Sequence, residues 1–427
     1  MENRTLLPVR YTLVVWLGVL SAVAFLDRTN ISVAGLQIGR EFGISNTRLG
    51  WIFSAFLVAY AAFQIPAGIL ARRLGPRRVL LFAGVWWAAF TALTAVLPPG
   101  FRHAVPLLIT VRFALGAGEA TMYPAASQFV ERWFPVAERG KANGIIFGGV
   151  GLGSGLTPYF VTLIILHLGW RASFWISAAI GLFVAVVWYA IAHDTPEQHA
   201  RITDSERDRI LASRRVASQS TTRSHIVPWR AIFSSPQVLT LTLSYFSFVY
   251  VAWIYFGWFF IYLAQARGLN LKASAVYTMI PFIAMTLGCV FGGFISDQIA
   301  AQFGLRIGRT LIPGAALILT AILLLIGPRV HQAETAALVL ALGAGVLYVA
   351  QSGFWAVAAD IAGENTSVVS AIVNMGGQIG GACATSVTPL IASRFGWTMS
   401  FLVAAALTLA GGIAWGAINP RRPIGAI

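Results

Sequence analysis

The sequence predicts an all-α membrane protein with twelve transmembrane helices in two pseudo-symmetric six-helix bundles. Composition, the length of the apolar runs and an internal repeat lead to this fold class. Of the 427 residues, 57% are hydrophobic and only 11% are charged, whereas a soluble domain carries about a quarter charged residues. Because so few charges cannot cover a water-facing surface, lipid must face much of the chain.

The apolar runs are long enough to cross a bilayer, which takes about 20 residues per helix. Barrel strands are not favoured, because they alternate apolar and polar residues and these runs do not. The predicted spans are 11–37, 49–71, 79–98, 105–130, 140–167, 172–192, 236–264, 273–300, 309–327, 335–360, 367–393 and 398–418.

One long polar stretch divides the spans into six and six. We therefore predict an N-terminal bundle over residues 1–192, a cytoplasmic linker over 193–235 and a C-terminal bundle over 236–427.

An internal repeat supports this division. Ala-Leu-Gly-Ala-Gly at 114–118 recurs at 341–345, and Gly-Trp at 169–170 recurs at 396–397, in both cases 227 residues later. Gly149 and Gly153 likewise recur as Gly376 and Gly380, and three matches at one offset indicate a duplicated six-helix unit. In such duplicated transporters the substrate site lies near the bilayer midplane, between the two halves.

The formal charge of +15 follows the orientation expected of a membrane protein. If the N-terminus is cytoplasmic, 20 of the 30 Lys and Arg fall in cytoplasmic segments and eight in outer loops. This is the positive-inside bias, with both termini in the cytoplasm. The basic excess thus indicates contact with membrane lipid and no nucleic-acid partner.

The sequence gives no support to an enzyme. Cys289 and Cys383 lie in apolar runs, without disulfide or metal-ligand spacing. A Walker-type loop, an HExxH motif and a G-x-S-x-G motif in a strand context are all absent from the sequence. We expect no cofactor and no ATP-driven step, with protons as the coupling ion.

Four charged residues fall within the predicted spans away from their ends: Asp27 and Arg28 on the first helix, and Arg112 and Glu119 on the fourth. A charge at the bilayer centre costs about 2.5–3.5 kcal/mol on insertion scales. The four can form a purely structural ion-pair network, but buried pairs are weak evidence of stability. A functional site is the favoured interpretation.

The spacing on the fourth helix places Arg112, Gly116, Glu119 and Tyr123 on one stripe. We expect Gly116 to leave open space in front of that stripe. Glycine rows also mark the fifth and eleventh helices, where they favour close helix packing. These rows are Gly144, Gly148, Gly151 and Gly155, and Gly376, Gly377, Gly380 and Gly381.

Asp27 and Arg28 point about 100° apart around their helix. One can face the fourth helix and the other the central cavity. We assign Arg28 to the cavity as the clamp for a substrate carboxylate, since its planar fork binds carboxylates bidentately. Asp27 and Glu119 are then the proton carriers, because burial and a neighbouring arginine act in opposite directions on a carboxyl pKa.

Counting charges suggests how proton and anion are coupled. With all four residues ionised the cluster is neutral. A proton on Asp27 or Glu119 leaves a net positive charge, which an anionic substrate neutralises. Each ligand then favours binding of the other, as linkage requires.

Two segments resemble the major facilitator superfamily and, within it, the anion:cation symporters, which include bacterial sugar-acid transporters and the animal sialin and vesicular glutamate carriers. Phe-Leu-Asp-Arg-Thr-Asn-Ile-Ser-Val-Ala at 25–34 is similar to the family's first-helix signature. Arg-Phe-Ala-Leu-Gly-Ala-Gly-Glu-Ala at 112–120, followed by Trp-Phe-Pro at 133–135, resembles its fourth-helix pattern. The resemblance covers essentially the whole chain and implies the major facilitator fold.

The resemblance implies that Arg28 binds the anion, that Asp27 and Glu119 are the protonatable pair, and that Arg112 tunes Glu119. It also associates Tyr60 on the second helix with substrate contact.

Three other helices of the second half supply weaker candidates for substrate contact. Asn374 and Gln378 on the eleventh helix can contact the substrate or form helix-to-helix hydrogen bonds. Tyr255 on the seventh helix can close over the substrate from outside. Ser352 and Trp355 on the tenth can line the C-terminal side.

The loop after the second helix departs from the superfamily pattern. The family's aspartate is replaced by Arg72, followed by Arg73, whereas Asp297 retains it in the second half. The resemblance implies that this aspartate holds the cytoplasmic side closed. We therefore expect weaker gating by the N-terminal half.

These features predict a symporter that imports an organic anion with protons by alternating access; a hexonate, hexarate or hexuronate is the expected sugar acid. An organic-anion exchanger, an exporter of amphiphilic compounds and, more remotely, a membrane sensor without transport are the alternatives. We expect a multi-pass monomer in the bacterial inner (cytoplasmic) membrane. Because Val346 stands where the repeat would place a second Glu119, coupling is expected to reside in the first half and specificity in the second.

Overall fold

Twelve long helices make up most of the computed structural model, which describes residues 8–135, 138–219 and 229–420. Eleven are long and apolar enough to cross a membrane, and α11 is a further helix of 30 residues. The all-α prediction of two six-helix bundles is confirmed. The helices are α1 Val9–Phe42, α2 Asn46–Leu74, α3 Pro76–Ala95, α4 Ala104–Trp133, α5 Arg139–Leu168, α6 Trp170–Ile191, α7 Pro236–Gln265, α8 Leu271–Phe303, α9 Leu305–Arg329, α10 Ala333–Ala362, α11 Thr366–Phe395 and α12 Trp397–Ala417, with a linker helix, Asp204–Gln219, between α6 and α7.

The repeat seen in the sequence is also present in the helix ends. Gly169 and Gly396 precede α6 and α12 with φ angles of 85° and 83°, a conformation that only glycine adopts without strain. Ser45 and Asn270 cap α2 and α8 by accepting hydrogen bonds from backbone N–H groups, as N-cap residues commonly do. Equivalent helices therefore begin in equivalent ways.

Glycine contacts follow the same symmetry. Gly149 and Gly153 of α5 lie directly against the backbone of α1, and Gly376 and Gly380 of α11 lie against α7. A methyl group at any of these positions would clash with the neighbouring helix. The close approach of small residues is how membrane helices maximise dispersion contacts.

The glycine row predicted on α5 divides into separate environments. Gly144 and Gly148 have open space where a Cβ would stand, whereas Gly151 contacts Thr286 of α8. Packing within the N-terminal half therefore uses Gly149 and Gly153, one helix face away from the row that the sequence suggested.

The two halves meet mainly where α2 packs on α11 and α5 on α8. Ser54 of α2 lies 2.6 Å from the Thr385 hydroxyl and 2.5 Å from the Ser386 hydroxyl of α11. Asn46 donates to the Gln265 amide oxygen over 2.8 Å. These contacts close the side of the bundle away from the linker, called here the far side.

The linker helix is fastened to the N-terminal half by charged groups. The Glu206 carboxylate accepts hydrogen bonds from the backbone N–H groups of Val9 and Arg10, each 3.2 Å long, and pairs with the Arg10 guanidinium at 2.8 Å. Glu138 pairs with Arg10 at 3.1 Å and with Arg209 at 2.6 Å. Glu206 thus caps the start of α1, where an anion is favoured.

Replacing Glu138 with glutamine is expected to loosen this anchor. Burial opposes ionisation, but a hydrogen bond from Tyr11 and the charges of Arg10 and Arg209 hold the pKa of Glu138 below its usual range. Its stabilising contribution is therefore complete at neutral pH and is lost as acid protonates it. We expect Glu138→Gln to reduce stability by about 1–3 kcal/mol in thermal unfolding of the detergent-solubilised protein.

Glu131→Gln is the matched control, because the Glu131 side chain is exposed in the same segment. If Glu138→Gln unfolds at the same temperature as the wild type and the control, the anchor does not stabilise the fold.

Candidate functional site

The four charged residues that lie away from the ends of the predicted spans come together between α1 and α4. Asp27, Arg28, Arg112 and Glu119 are all buried, with relative exposures between 0% and 8%. A group of four ionisable side chains so far from water requires partners, because an isolated buried charge is strongly disfavoured. The chemistry of the cluster therefore depends on the partners of each charged side chain.

Arg28 and Glu119 form the direct ion pair of the cluster. The Arg28 Nε donates to Glu119 Oε2 over 2.6 Å, so Arg28 reaches α4 itself. Among the described residues, the Arg28 Nη2 and Glu119 Oε1 atoms have no hydrogen-bond partner. The guanidinium is therefore half engaged by protein and retains an unused donor edge.

Aromatic rings surround both arginines. The Arg28 guanidinium lies 4.6 Å from the ring centre of Phe25 and 4.8 Å from that of Tyr60. Phe56 lies between the arginines, with its ring centre 5.2 Å from Arg28 and 4.8 Å from Arg112. Ring faces attract cations without providing a negative charge, so the arginines are held while their charge stays available.

Asp27 is the least satisfied member of the cluster. Neither of its carboxylate oxygens has a hydrogen bond of good geometry within the described part of the chain, although the Thr91 hydroxyl of α3 lies close to it. Glu119 and Arg112 are near enough to act on it electrostatically. Arg112 in turn lies near enough to act electrostatically on both Glu119 and Asp27.

The structure corrects the expectation for Gly116. A Cβ at this position would collide with the backbone carbonyl of Phe56, so no open space lies in front of it. Gly116 lets α4 approach α2 closely, which brings Phe56 between the two arginines.

Two polar contacts extend the site from Arg28. The Tyr123 hydroxyl lies 3.1 Å from that of Ser21. Asn374 of α11 donates to Gln64 of α2 over 3.1 Å, which makes a hydrogen bond between the halves. Gln64 follows Tyr60 by one helical turn, so this bridge lies next to Tyr60 on the side nearer the linker.

The tenth helix contributes polar and aromatic groups from the other half. The Gln351 Oε1 and Ser352 Oγ atoms are buried and, among the described residues, unpaired. The Trp355 ring centre lies 5.3 Å from that of Tyr245 on α7. Gln351 in turn lies beside the Tyr245 hydroxyl.

The structure corrects the assignment of Tyr255 to substrate contact. Its side chain is buried in the core of the C-terminal half, and its hydroxyl donates to the Leu340 carbonyl over 2.6 Å. Its polar group is therefore satisfied by backbone. Gln378, by contrast, lines a groove between α2 and α11 together with Ser54 and Cys383.

The predicted gating residues differ between the halves. Asp297 pairs with Arg309 at 2.8 Å, and Arg309 also lies 3.5 Å from Asp360. In the first half, Arg72 and Arg73 are exposed in the last turn of α2, where cations are favourable at a helix C-terminus. The structure thus adds Arg309 and Asp360 to the predicted set.

Restoring the family's acidic residue with Arg72→Asp is expected to favour the state that is open on the far side. The measurement is thiol labelling of Ser54→Cys in a background without Cys289 and Cys383, because Ser54 lies in the closed far-side contact. Labelling should become faster than in the parent protein.

Arg72→Asn removes the charge without adding an acid and serves as the control. Equal labelling rates for Arg72→Asp, Arg72→Asn and the parent would contradict the gating hypothesis.

Sequence reasoning missed Phe56 and Gln64. Both lie one turn from Tyr60, at i−4 and i+4, so a stripe of three residues on α2 faces the site. The polar residue Gln64 within an apolar span was a usable signal. Nothing in the sequence distinguished Phe56 from the other 27 phenylalanines.

A buried charge cluster inside two matched six-helix halves defines a membrane transporter rather than an enzyme. The pattern of the Major Facilitator Superfamily matches residues 17–385, and the chain belongs to that superfamily. The resemblance noted in the sequence is therefore confirmed.

Several curated proteins are similar over nearly their whole length. The probable sulfoacetate transporter SauU of Cupriavidus necator is 34% identical over 408 residues, covering 93% of this chain and 91% of its own. The hexuronate transporter of Bacillus subtilis is 28% identical over 429 residues, covering 99% and 96%. The probable L-galactonate transporter of Escherichia coli is 27% identical over 400 residues, covering 92% and 86%.

The fold is also that of a solved structure. A bacterial homologue of the human lysosomal transporter Spinster, in its inward-facing and occupied conformation, aligns with a TM-score of 0.79 at 16% identity, covering 96% of this chain and 97% of the other. This likeness establishes the fold alone.

Proposed function

We propose that this protein is a proton-coupled symporter that imports an organic anion, a sugar acid in particular, by alternating access. The observation that carries the proposal is the half-engaged guanidinium of Arg28. One edge is held by Glu119 at 2.6 Å, and the Nη2 atom has no partner among the described residues. An arginine in this arrangement can bind a carboxylate with its planar fork.

Competition for Arg28 supplies the coupling. The Glu119 carboxylate and a substrate carboxylate require the same guanidinium. A proton on Glu119 removes the competing charge and releases Arg28 to the anion. Conversely, a bound anion displaces Glu119 and leaves its carboxyl without a cation, which favours protonation. Proton and substrate therefore stabilise each other's binding, as reciprocal coupling requires.

Asp27 is the second proton carrier in this scheme. An unpartnered carboxylate at this depth is unfavourable, so a proton on Asp27 removes a buried charge and leaves the cluster with a net positive charge that a substrate anion neutralises. Releasing that proton leaves Arg112 as its compensating charge. Whether Asp27 takes up or releases its proton then depends on which side of the membrane the site is open to.

Three features support the remaining parts of the proposal. Relatives named for hexuronate, L-galactonate and sulfoacetate transport support an anion as substrate. The far-side contacts through Ser54 and Asn46 are short polar contacts that a rocking motion can break, which supports alternating access. The basic residues of the linker support an orientation with both termini cytoplasmic.

Counterflow in proteoliposomes tests the function directly. Vesicles loaded with unlabelled sugar acid should take up the labelled compound, and an inward proton gradient should drive uptake above equilibrium. Exchange that never exceeds equilibrium would identify an exchanger instead. No exchange of any sugar acid, with export of amphiphilic dyes, would overturn the proposal in favour of an exporter.

A further inference from the structure

The two halves differ in charge where they face each other across the site: the first half is charged there and the second is neutral. The four membrane-embedded charges all lie on α1 and α4 of the first half. In the second half, α7 and α12 carry no charged residue at all. The charged residues of its other helices lie towards the helix ends: Lys272, Asp297, Arg306, Arg309, Arg329, Glu334, Asp360 and Arg394.

Neutral hydrogen-bonding groups occupy the second half's side of the site instead. Tyr245 of α7 lies within electrostatic range of Tyr60, and Tyr348 of α10 within that of Tyr123, across the gap between the halves. The buried Gln351 Oε1 atom has no partner among the described residues. Hydroxyl and amide groups of this kind bind hydroxyls and carbonyls well, but none of them provides a positive charge.

We propose that the substrate carries one anionic group, bound at Arg28, and that its other end is neutral and hydroxylated and contacts Tyr245, Gln351 and Ser352. This inference rests on the proposed function. A hexonate or a hexuronate has this distribution of charge. A hexarate does not, because its second carboxylate, at the opposite end of a six-carbon chain, would lie among neutral groups with no cation.

Protons cannot correct that mismatch. Protonation of Asp27 and Glu119 raises the net positive charge of the cluster, but only at the first half's side of the site. A carboxylate against Gln351 would still be removed from water without a local counter-charge, which is strongly disfavoured. Selectivity between substrates with one and with two anionic groups therefore depends on where the positive charges of the site lie and not only on its net charge.

Matched pairs of sugar acids test this inference. Galactonate and galactarate share a carbon skeleton and stereochemistry and differ only at carbon 6, a hydroxymethyl or a carboxylate. We expect galactonate to inhibit counterflow at a concentration at least tenfold lower than galactarate. The monomethyl ester of galactarate, with one charge on the same skeleton, should recover most of the lost affinity.

A variant provides a second readout. Gln351→Arg adds a cation on the second half's side and should raise the preference for galactarate over galactonate at least tenfold, whereas Gln351→Met should not. Equal or better transport of galactarate or sulfoacetate by the wild type would overturn the inference while the proposed function stands. If no sugar acid is transported, the proposed function itself fails.

Discussion

Arg28→Ala is expected to weaken substrate binding more than any other single change at this site. Removing one partner of a buried, hydrogen-bonded charge pair typically costs about 2–5 kcal/mol. At 1.4 kcal/mol per tenfold, this weakens binding by roughly 30- to 4,000-fold. Arg28→Lys keeps the positive charge but loses the planar fork, so its affinity for the substrate should lie between those of Arg28→Ala and the wild type. Titration of the purified protein with labelled sugar acid measures the dissociation constant.

The same substitution leaves Glu119 without its ion pair at 2.6 Å, so misfolding is a second cause of lost binding. The double variant Arg28→Ala with Glu119→Gln removes the unpaired charge and separates the two effects. We expect it to regain the thermal stability of the wild type without regaining affinity. Accumulation of substrate by Arg28→Ala at wild-type rates would show that the anion binds elsewhere.

The architecture was predictable because the bilayer imposes a length and a composition on every span. All twelve predicted spans overlap observed helices, including 367–393 with Thr366–Phe395. The ends were less predictable: the first span, predicted over 11–37, extends over Val9–Phe42. Helices continue past the hydrocarbon core into the interface, where hydropathy no longer marks where they stop.

The partners within the site were beyond sequence reasoning. Four charges on two helices allow more than one pairing, and periodicity alone does not choose between them. Packing does: Gly116 admits the Phe56 backbone, and the Phe56 ring then lies between Arg28 and Arg112. The pairing depends on the position of a third helix, α2, and the residue spacing within α1 and α4 does not predict that position.

Tyr255 and Asn374 show the same limit for single polar residues. The sequence placed Tyr255 among candidate substrate contacts and left Asn374 open between substrate contact and a helix-to-helix hydrogen bond. Tyr255 instead donates to a carbonyl of α10, and Asn374 donates to Gln64 on the opposite half. A polar group in a membrane helix needs a partner, but periodicity does not say whether it is backbone, another helix or a ligand. Only the position of the neighbouring helix decides.

Asp27→Asn is expected to separate exchange from accumulation. Asparagine keeps the shape of the side chain but cannot carry a proton. The Arg28 clamp is unchanged, so counterflow between equal substrate pools should persist. Uphill uptake driven by an inward proton gradient should be lost, because the cycle no longer moves the proton that Asp27 carries. Uptake of labelled substrate and of protons, followed by an internal pH dye, measures both.

Asp208→Asn is the matched control, since the Asp208 side chain is 73% exposed on the linker helix and the same chemical change there should alter neither readout.

Glu119→Gln distinguishes the two carriers. With its competing carboxylate permanently neutral, Arg28 stays available, so substrate should bind tightly at every pH. Proton-driven accumulation that survives in Asp27→Asn but not in Glu119→Gln would assign coupling to Glu119 alone. Asp27 would then be a structural counter-charge for Arg112.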